Sequence, residues 1–227
     1  MFNHLPRPNL TELETKQSAT GKRFYKTPEG VWYPSITTIL GVGEKEWLTN
    51  WKNMLGEKKA NKERDRCAKR GSAVHELAEK YLNNETIDIK KYHHEYINDF
   101  NKLKLKLNAV DNIRGQELAL YSDTLKVAGR VDCIGEYNGV LSVIDFKTST
   151  NNKYKQWIFD YFLQTTAYAI MWHERTNEPI EDIVILMTVE RGMMPLVFKD
   201  KIDEYVAPLI KRIREAENGI SKLKRTK

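Results

Sequence analysis

Along the first half of the chain apolar residues recur at helical spacing, whereas along the second they alternate or run together. The change falls near Arg114-Gly115. Before it, Ser35 follows Pro34 and precedes Ile36-Thr37-Thr38-Ile39-Leu40, so a hydroxyl cap should open a short helix. Helices are expected over Glu44 to Leu55 and Glu57 to Leu82. The second carries Ala68, Gly71, Ala73, Val74, Leu77, Ala78, Tyr81 and Leu82 near a period of about 3.6. A further amphipathic helix is expected from about Lys91 to Leu107, on Tyr92, Tyr96, Ile97, Phe100, Leu103 and Leu107.

After the change, Gln116 to Tyr121, Lys126 to Tyr137 and Val140 to Lys147 read as three adjacent strands, with Asn138-Gly139 as a two-residue hairpin turn. A helix over Lys155 to Arg175, strands over Ile183 to Glu190 and Met194 to Phe198, and a basic helix over Asp203 to Leu223 complete the pattern. Helices followed by β-β-β, α, β-β, α imply a mixed α/β fold, one sheet flanked by helices. Residues 1–34, polar and broken by Pro6, Pro8 and Pro28, read as an N-terminal extension. A single domain should follow over 35–227, helical to 113 and α/β from 114.

Composition narrows the class. At 227 residues, with 41% hydrophobic and 30% charged positions, the chain reads as one soluble globular domain. No apolar run is long enough to cross a bilayer, and Met1 to Gly30 lacks the apolar stretch of a secretory leader. An intracellular, cytoplasmic location without a membrane partner is expected, the host cytoplasm if the gene is carried by a phage. The formal charge of +6 suits a polyanionic partner. Cys67 and Cys133 are too few for an iron–sulfur cluster or a structural zinc site, and read as reduced thiols.

The chemistry concentrates in the second half. Asp132 lies on the strand entering the Asn138-Gly139 turn and Asp145 on the strand leaving it, so a hairpin brings both carboxylates together. Lys147, two residues beyond Asp145, shares its face, while Phe146 faces the core and leaves its carbonyl as a further oxygen ligand. Two carboxylates and a lysine suit phosphodiester hydrolysis, where a hard divalent cation neutralises charge and Lys147 assists the attack of water. An exposed Asp-x-Lys arises equally often by chance. Glu117, on the preceding strand, is an additional carboxylate or an exposed strand residue.

Other motifs point away from alternative chemistries. His75-Glu76 is followed by Glu79 where a zinc peptidase needs its second histidine. His93-His94 reads as part of a solvated helix face. Trp47 and Trp51, one turn apart, suit either core packing or stacking on unpaired bases. Lys222 to Lys227 reads as a solvated tail adding unspecific attraction to phosphates.

Gly129-Arg130-Val131-Asp132 followed by Ile144-Asp145-Phe146-Lys147-Thr148 resembles the PD-(D/E)XK nuclease superfamily, in its RecB-like exonuclease branch. Arg70-Gly71-Ser72-Ala73-Val74-His75 is similar to that branch's G-x-x-x-H helix, and Gln164-Thr165-Thr166-Ala167-Tyr168 to its Q-x-x-x-Y motif. The resemblance implies that His75, Asp132, Asp145 and the Phe146 carbonyl hold Mg²⁺, or Mn²⁺ given the imidazole. It implies further that Lys147 is catalytic and that Gln164 and Tyr168 lie beside it. On the residues themselves, Gly71 one turn before His75 lets a backbone or a phosphate approach. Gln164 and Tyr168, also one turn apart, face the same way.

The segments Gly21 to Tyr25, Tyr33 to Thr37 and Trp47 to Trp51 resemble the small stand-alone exonucleases of bacteriophages and of mitochondrial genome maintenance. That resemblance implies DNA with free single-stranded ends as partner and a 5′-phosphate product, in replication, repair or recombination. Ser35, Thr37, Trp47, Trp51, Arg70 and Arg130 are the candidate DNA contacts. No G-x-x-x-x-G-K-[ST] phosphate loop occurs, so a separate helicase or replication protein would supply unwinding. A structure-specific or restriction-like endonuclease, and a non-catalytic DNA-binding scaffold, are the alternative readings.

Overall fold

The computed structural model describes residues 1–42 and 46–225, and the side chains of 43–48 and 219–227 lie outside the description. The expected extension contains strands: β1 (Glu14–Gln17), β2 (Arg23–Lys26) and β3 (Trp32–Pro34) form an antiparallel sheet. Each is three or four residues long, too short for alternation to be visible in sequence. The turns between them use Gly21 (φ 78°) and Gly30 (φ 85°), where a side chain would be strained. Tyr25 anchors this sheet, packing with Leu13, Ala119, Tyr121 and Ala128 against the main one.

The helical segment largely follows its pattern. In α1 (Ile36–Leu40) the Ser35 hydroxyl accepts from the Thr38 amide at 3.0 Å, as expected of the cap. α2 (Glu46–Leu55) and α3 (Glu57–Leu82) are separated by Gly56 at φ 78°, a backbone angle that interrupts helical continuity and favours glycine. α4 (His94–Leu107) begins three residues later than expected because Ile89–Lys91 forms a 3-10 turn.

The main sheet has the order β4-β5-β6-β7-β8, from β4 (Val110–Ser122), β5 (Val127–Tyr137), β6 (Val140–Ser149), β7 (Asp182–Val189) and β8 (Leu196–Lys201). Neighbours are antiparallel except β6 and β7, which run parallel and are joined through a 3-10 turn (Lys155–Ile158) and α5 (Phe159–Thr176). Asn138 (φ 51°) and Gly139 (φ 79°) make the expected hairpin turn. β4 is about twice its expected length. Its first half carries a register shift between Asp111 and Gly115 and positive φ at Asn112, which erase the period of two.

Helices cover both faces. Val74, Leu77, Leu82, Phe100 and Leu103 of α3 and α4 pack on Cys133, Ile144, Phe146 and Leu186. On the opposite face Phe162, Ala167 and Trp172 of α5, with Leu209 and Ile213 of α6 (Asp203–Arg225), pack on Val131, Ile134, Val143 and Ile185. The two helical layers therefore share one sheet. No helix among the described residues is long and apolar enough to cross a membrane.

Candidate active site

The site lies where β5 parts from β6. Their ladder ends at Cys133↔Ile144, so Asp132 and Asp145 are the next positions across, beyond the last backbone pair. The Asp132 carboxylate takes over as partner, accepting from the Phe146 amide at 2.7 Å. Thus the backbone donor freed by the fork fixes one carboxylate. Asp145 and Lys147 point to the face opposite Phe146, whose ring is buried in the α3–α4 core as its alternating position requires. Lys147 Nζ is ion-paired with Asp145 and lies 5.0 Å from the centre of the Tyr161 ring.

Two further elements deliver candidate ligands. His75 on α3 places Nδ1 3.5 Å from Asp132 Oδ1, and its ring meets Phe146 edge to face with centroids 6.0 Å apart. On β4, Gln116↔Cys133 and Leu118↔Val131 are paired, and Glu117 falls between them, across from Asp132. Its φ of 49° is a strained value for a residue with a side chain, the kind of outlier that collects at functional sites. One ligand atom each from His75, Glu117 and Asp132 lie within 4.8 Å of one another. That spacing is within reach of one ion with ligand bonds of about 2.0–2.6 Å.

The charges are out of balance in a way a divalent cation would correct. Burial pushes the Glu117 carboxyl up to about 7, with Asp132 and Glu79 adding repulsion. Burial also raises Asp145 to about 6, against the pull of Lys147. Asp132 moves the other way: burial opposes its charge, but His75, Lys147 and the Phe146 amide outweigh it. For His75 and Lys147, burial is likewise overcome by the facing carboxylates, and both are raised. A hard oxygen-rich set with one imidazole fits Mg²⁺ or Mn²⁺.

α5 closes the cluster. Gln164 Nε2 donates to Asp145 Oδ1 at 3.4 Å and to the Tyr168 hydroxyl at 3.2 Å, so Gln164 links the carboxylate to the phenol one turn further along the helix. Tyr168 is buried beneath β5, where a Cβ added to Gly129 would stand 2.7 Å from its Cε1. Gly129 is therefore required by the phenol. Gly71 is not required in that way: a Cβ there would lie 3.6 Å from Thr148 Oγ1, an ordinary contact, so the expected close approach of another backbone is absent.

Several sequence candidates are placed elsewhere. Arg70, expected to clamp phosphate, is only 1% exposed; its guanidinium pairs with Glu190 and lies 3.6 Å from Asp99. It is a buried ion pair joining α3 to α4 and the end of β7. Arg66 joins the same network through Glu190, and Lys102 donates to the carbonyls of Val189 and Glu190. Ser35 is also corrected, because its buried hydroxyl is committed to the α1 cap. Arg130, a third exposed, already pairs with Glu12 and donates to the Glu117 carbonyl. Thr37 is exposed on α1, and Trp51 is half-buried on α2; the Trp47 side chain lies outside the described residues.

His93, His94 and Glu95 are exposed, as expected of a solvated face, and as neighbours in sequence they bring their ligand atoms within 4.8 Å of one another. Tyr161 escaped the sequence reading, as did Lys153, Tyr154 and Trp157 after β6. Their signal was an interleaving of lysines and aromatics in the segment that follows the Asp145–Lys147 strand.

Residues 86–222 match the family model described as PD-(D/E)XK nuclease superfamily, a span that holds Glu117, Asp132, Asp145, Lys147, Gln164 and Tyr168 but begins after His75. Among curated proteins the chain is 36% identical over 95 residues to mitochondrial genome maintenance exonuclease 1 of Homo sapiens, covering 41% of this chain and 26% of that protein. To the Mus musculus protein of the same name it is 28% identical over 176 residues, covering 74% of this chain and 50% of the relative. The chain thus spans half or less of the length of these relatives.

Proposed function

Because this chain belongs to the PD-(D/E)XK nuclease superfamily, we propose that the Asp132–Asp145–Lys147 cluster hydrolyses phosphodiester bonds of DNA, working from free single-stranded ends. The observation that carries the reading is the fork between β5 and β6, which sets Asp132, Asp145 and Lys147 together with His75 and Glu117 of two other elements. A scaffold that had lost catalysis would have no need of strained backbone at Glu117 or of a lysine kept beside buried carboxylates. The exonuclease name of both relatives supports end-dependence.

His75, Glu117 and Asp132 would hold the cation, with Asp145 and the Phe146 carbonyl completing its shell. When bound, it would neutralise phosphate charge and acidify the attacking water. Lys147 keeps its proton at Nζ and directs its charge toward the phosphorus undergoing attack, stabilising the pentacoordinate state. Gln164 fixes the orientation of Asp145 from one side, and the Tyr168 hydroxyl, held protonated by burial, anchors Gln164 in turn. The product carries a 5′-phosphate.

Linear and circular single-stranded DNA, incubated with Mg²⁺ or Mn²⁺ and either the parental chain or Lys147→Ala, test this directly. Loss of the linear strand alone, abolished in the variant, is the expected result. Cutting of the circle would replace end-dependence by endonuclease action, and undiminished digestion by the variant would remove Lys147 from catalysis.

A further inference from the structure

A cavity of about 590 Å³ opens beside the cluster, lined among others by Thr37 of α1, by Lys153 of the loop after β6 and Trp157 of the 3-10 turn that follows it, and by Tyr161 and Gln164 of α5. Two of its walls belong to the site already described. Gln164 donates to Asp145, and the Tyr161 ring lies 5.0 Å from Lys147 Nζ. Anything seated in the cavity is therefore close to Asp145 and Lys147.

Its aromatic wall is not core. Trp157 is 62% exposed and Tyr154 61% exposed, packed edge to face with centroids 4.8 Å apart. Neither joins the described hydrophobic clusters. The remaining residues of that segment are polar, Thr150-Asn151-Asn152-Lys153 and then Lys155-Gln156, so nothing in the local pattern calls for two large rings. An exposed indole braced by a second ring, with Lys153 on the same cavity wall, is the combination that offers a flat apolar surface and a phosphate-attracting charge together.

We propose that this cavity receives an unpaired nucleobase of the strand whose phosphate sits at Lys147, the base stacking on Trp157. The inference rests on the nuclease reading above. It supplies a physical reason for single-strand preference: a paired base has both faces covered by its neighbours in the duplex and has none to give the indole. The volume lies within the range of about 300–1,000 Å³ usual for ligand clefts. Because stacking on a π-face tolerates every base, the site would choose strandedness and not sequence.

The test is binding by the full chain, in chelator so that no strand is cut, to a single-stranded oligomer carrying 2-aminopurine at each position in turn. A matching oligomer keeps the phosphates but replaces every nucleoside by an abasic spacer. Trp157→Ala is expected to weaken binding of the base-carrying strand about 5- to 150-fold. It should also abolish a position-specific quench of 2-aminopurine and leave affinity for the abasic strand unchanged. Trp157→Phe should recover most of both signals. Equal weakening on the two strands, or a quench that survives Trp157→Ala, overturns the stacking assignment while leaving the nuclease intact. A parental chain that binds neither strand, and with Mg²⁺ or Mn²⁺ cuts neither linear nor circular DNA, refutes the nuclease reading on which the inference rests.

Discussion

Gly129→Ala is the substitution whose effect the geometry sets most sharply. The added methyl would stand 2.7 Å from Cε1, 3.0 Å from Oη and 3.3 Å from Cζ of Tyr168. Non-bonded carbons settle at about 3.5–4.0 Å, so the shortfall is roughly 1 Å. Tyr168 cannot swing aside, being 2% exposed and enclosed by the α5-side core. Overpacking of this kind costs about 1–3 kcal/mol, which for a chain of this size lowers Tm by roughly 2–12 °C. Activity should fall further than stability, because the displaced phenol carries Gln164 and through it Asp145; misplacement by 1 Å costs up to roughly 100-fold. Urea unfolding and single-turnover cleavage measure the two effects. Tyr168→Leu removes all three contacting atoms, so adding Gly129→Ala to it should cost under about 0.5 kcal/mol. If Gly129→Ala costs as much in that background as in the parental one, the collision is not its cause and the account of Gly129 is wrong.

Three other outcomes are expected. Arg70→Met removes one of the two cations facing buried Asp99 and leaves Lys102 at 3.3 Å, so unfolding by urea should show a loss of about 1–3 kcal/mol; a near-parental midpoint with weakened DNA binding would return Arg70 to the phosphate-clamp role. Hydrogen bonding from Arg66, with Arg70 adding attraction, holds Glu190 below the usual carboxylate range. Its contribution is present above an unfolded pKa of about 4.3 and lost as pH falls through the lower folded value, so acid unfolding of Glu190→Gln should begin from lower stability and follow a shallower slope. An identical slope for both proteins would contradict this. Glu117→Ala should raise the Mn²⁺ concentration needed for half-maximal cleavage at least about 10-fold, with the rate largely recovered at saturation; an unchanged metal titration would remove Glu117 from the ligand set.

The elements most legible in sequence were those whose information is local. α3 was bounded at Glu57 and Leu82 because Gly56 breaks the helical path before it and the apolar stripe that α4 and the sheet bury ends with Leu82. The β5–β6 hairpin was readable because Asn138-Gly139 tolerates the positive φ its turn demands. β1 to β3 and the first half of β4 were not, the former for brevity and the latter because bulges reset the alternation. Arg70 and Arg130 show the same limit in side chains. Each looks like a free cation next to an acidic motif, and each is already partnered by residues distant in the chain: Asp99 and Glu190 for the first, Glu12 for the second.

Asp145 with Lys147, and Gln164 with Tyr168, were paired by spacings of two on a strand and four on a helix, and the hairpin set Asp132 beside Asp145; that these belong to one site was implied by the resemblance to the PD-(D/E)XK nucleases, not by spacing. The tertiary structure decided which carboxylates join His75: Asp132, and beside it Glu117, placed by a backbone irregularity that no periodicity records. The packing of α5 across β5 and β6 likewise decided that Gly129 must be small and that Trp157 borders the site. Local pattern sets the direction of a side chain; the meeting of chain segments far apart in sequence sets what it faces.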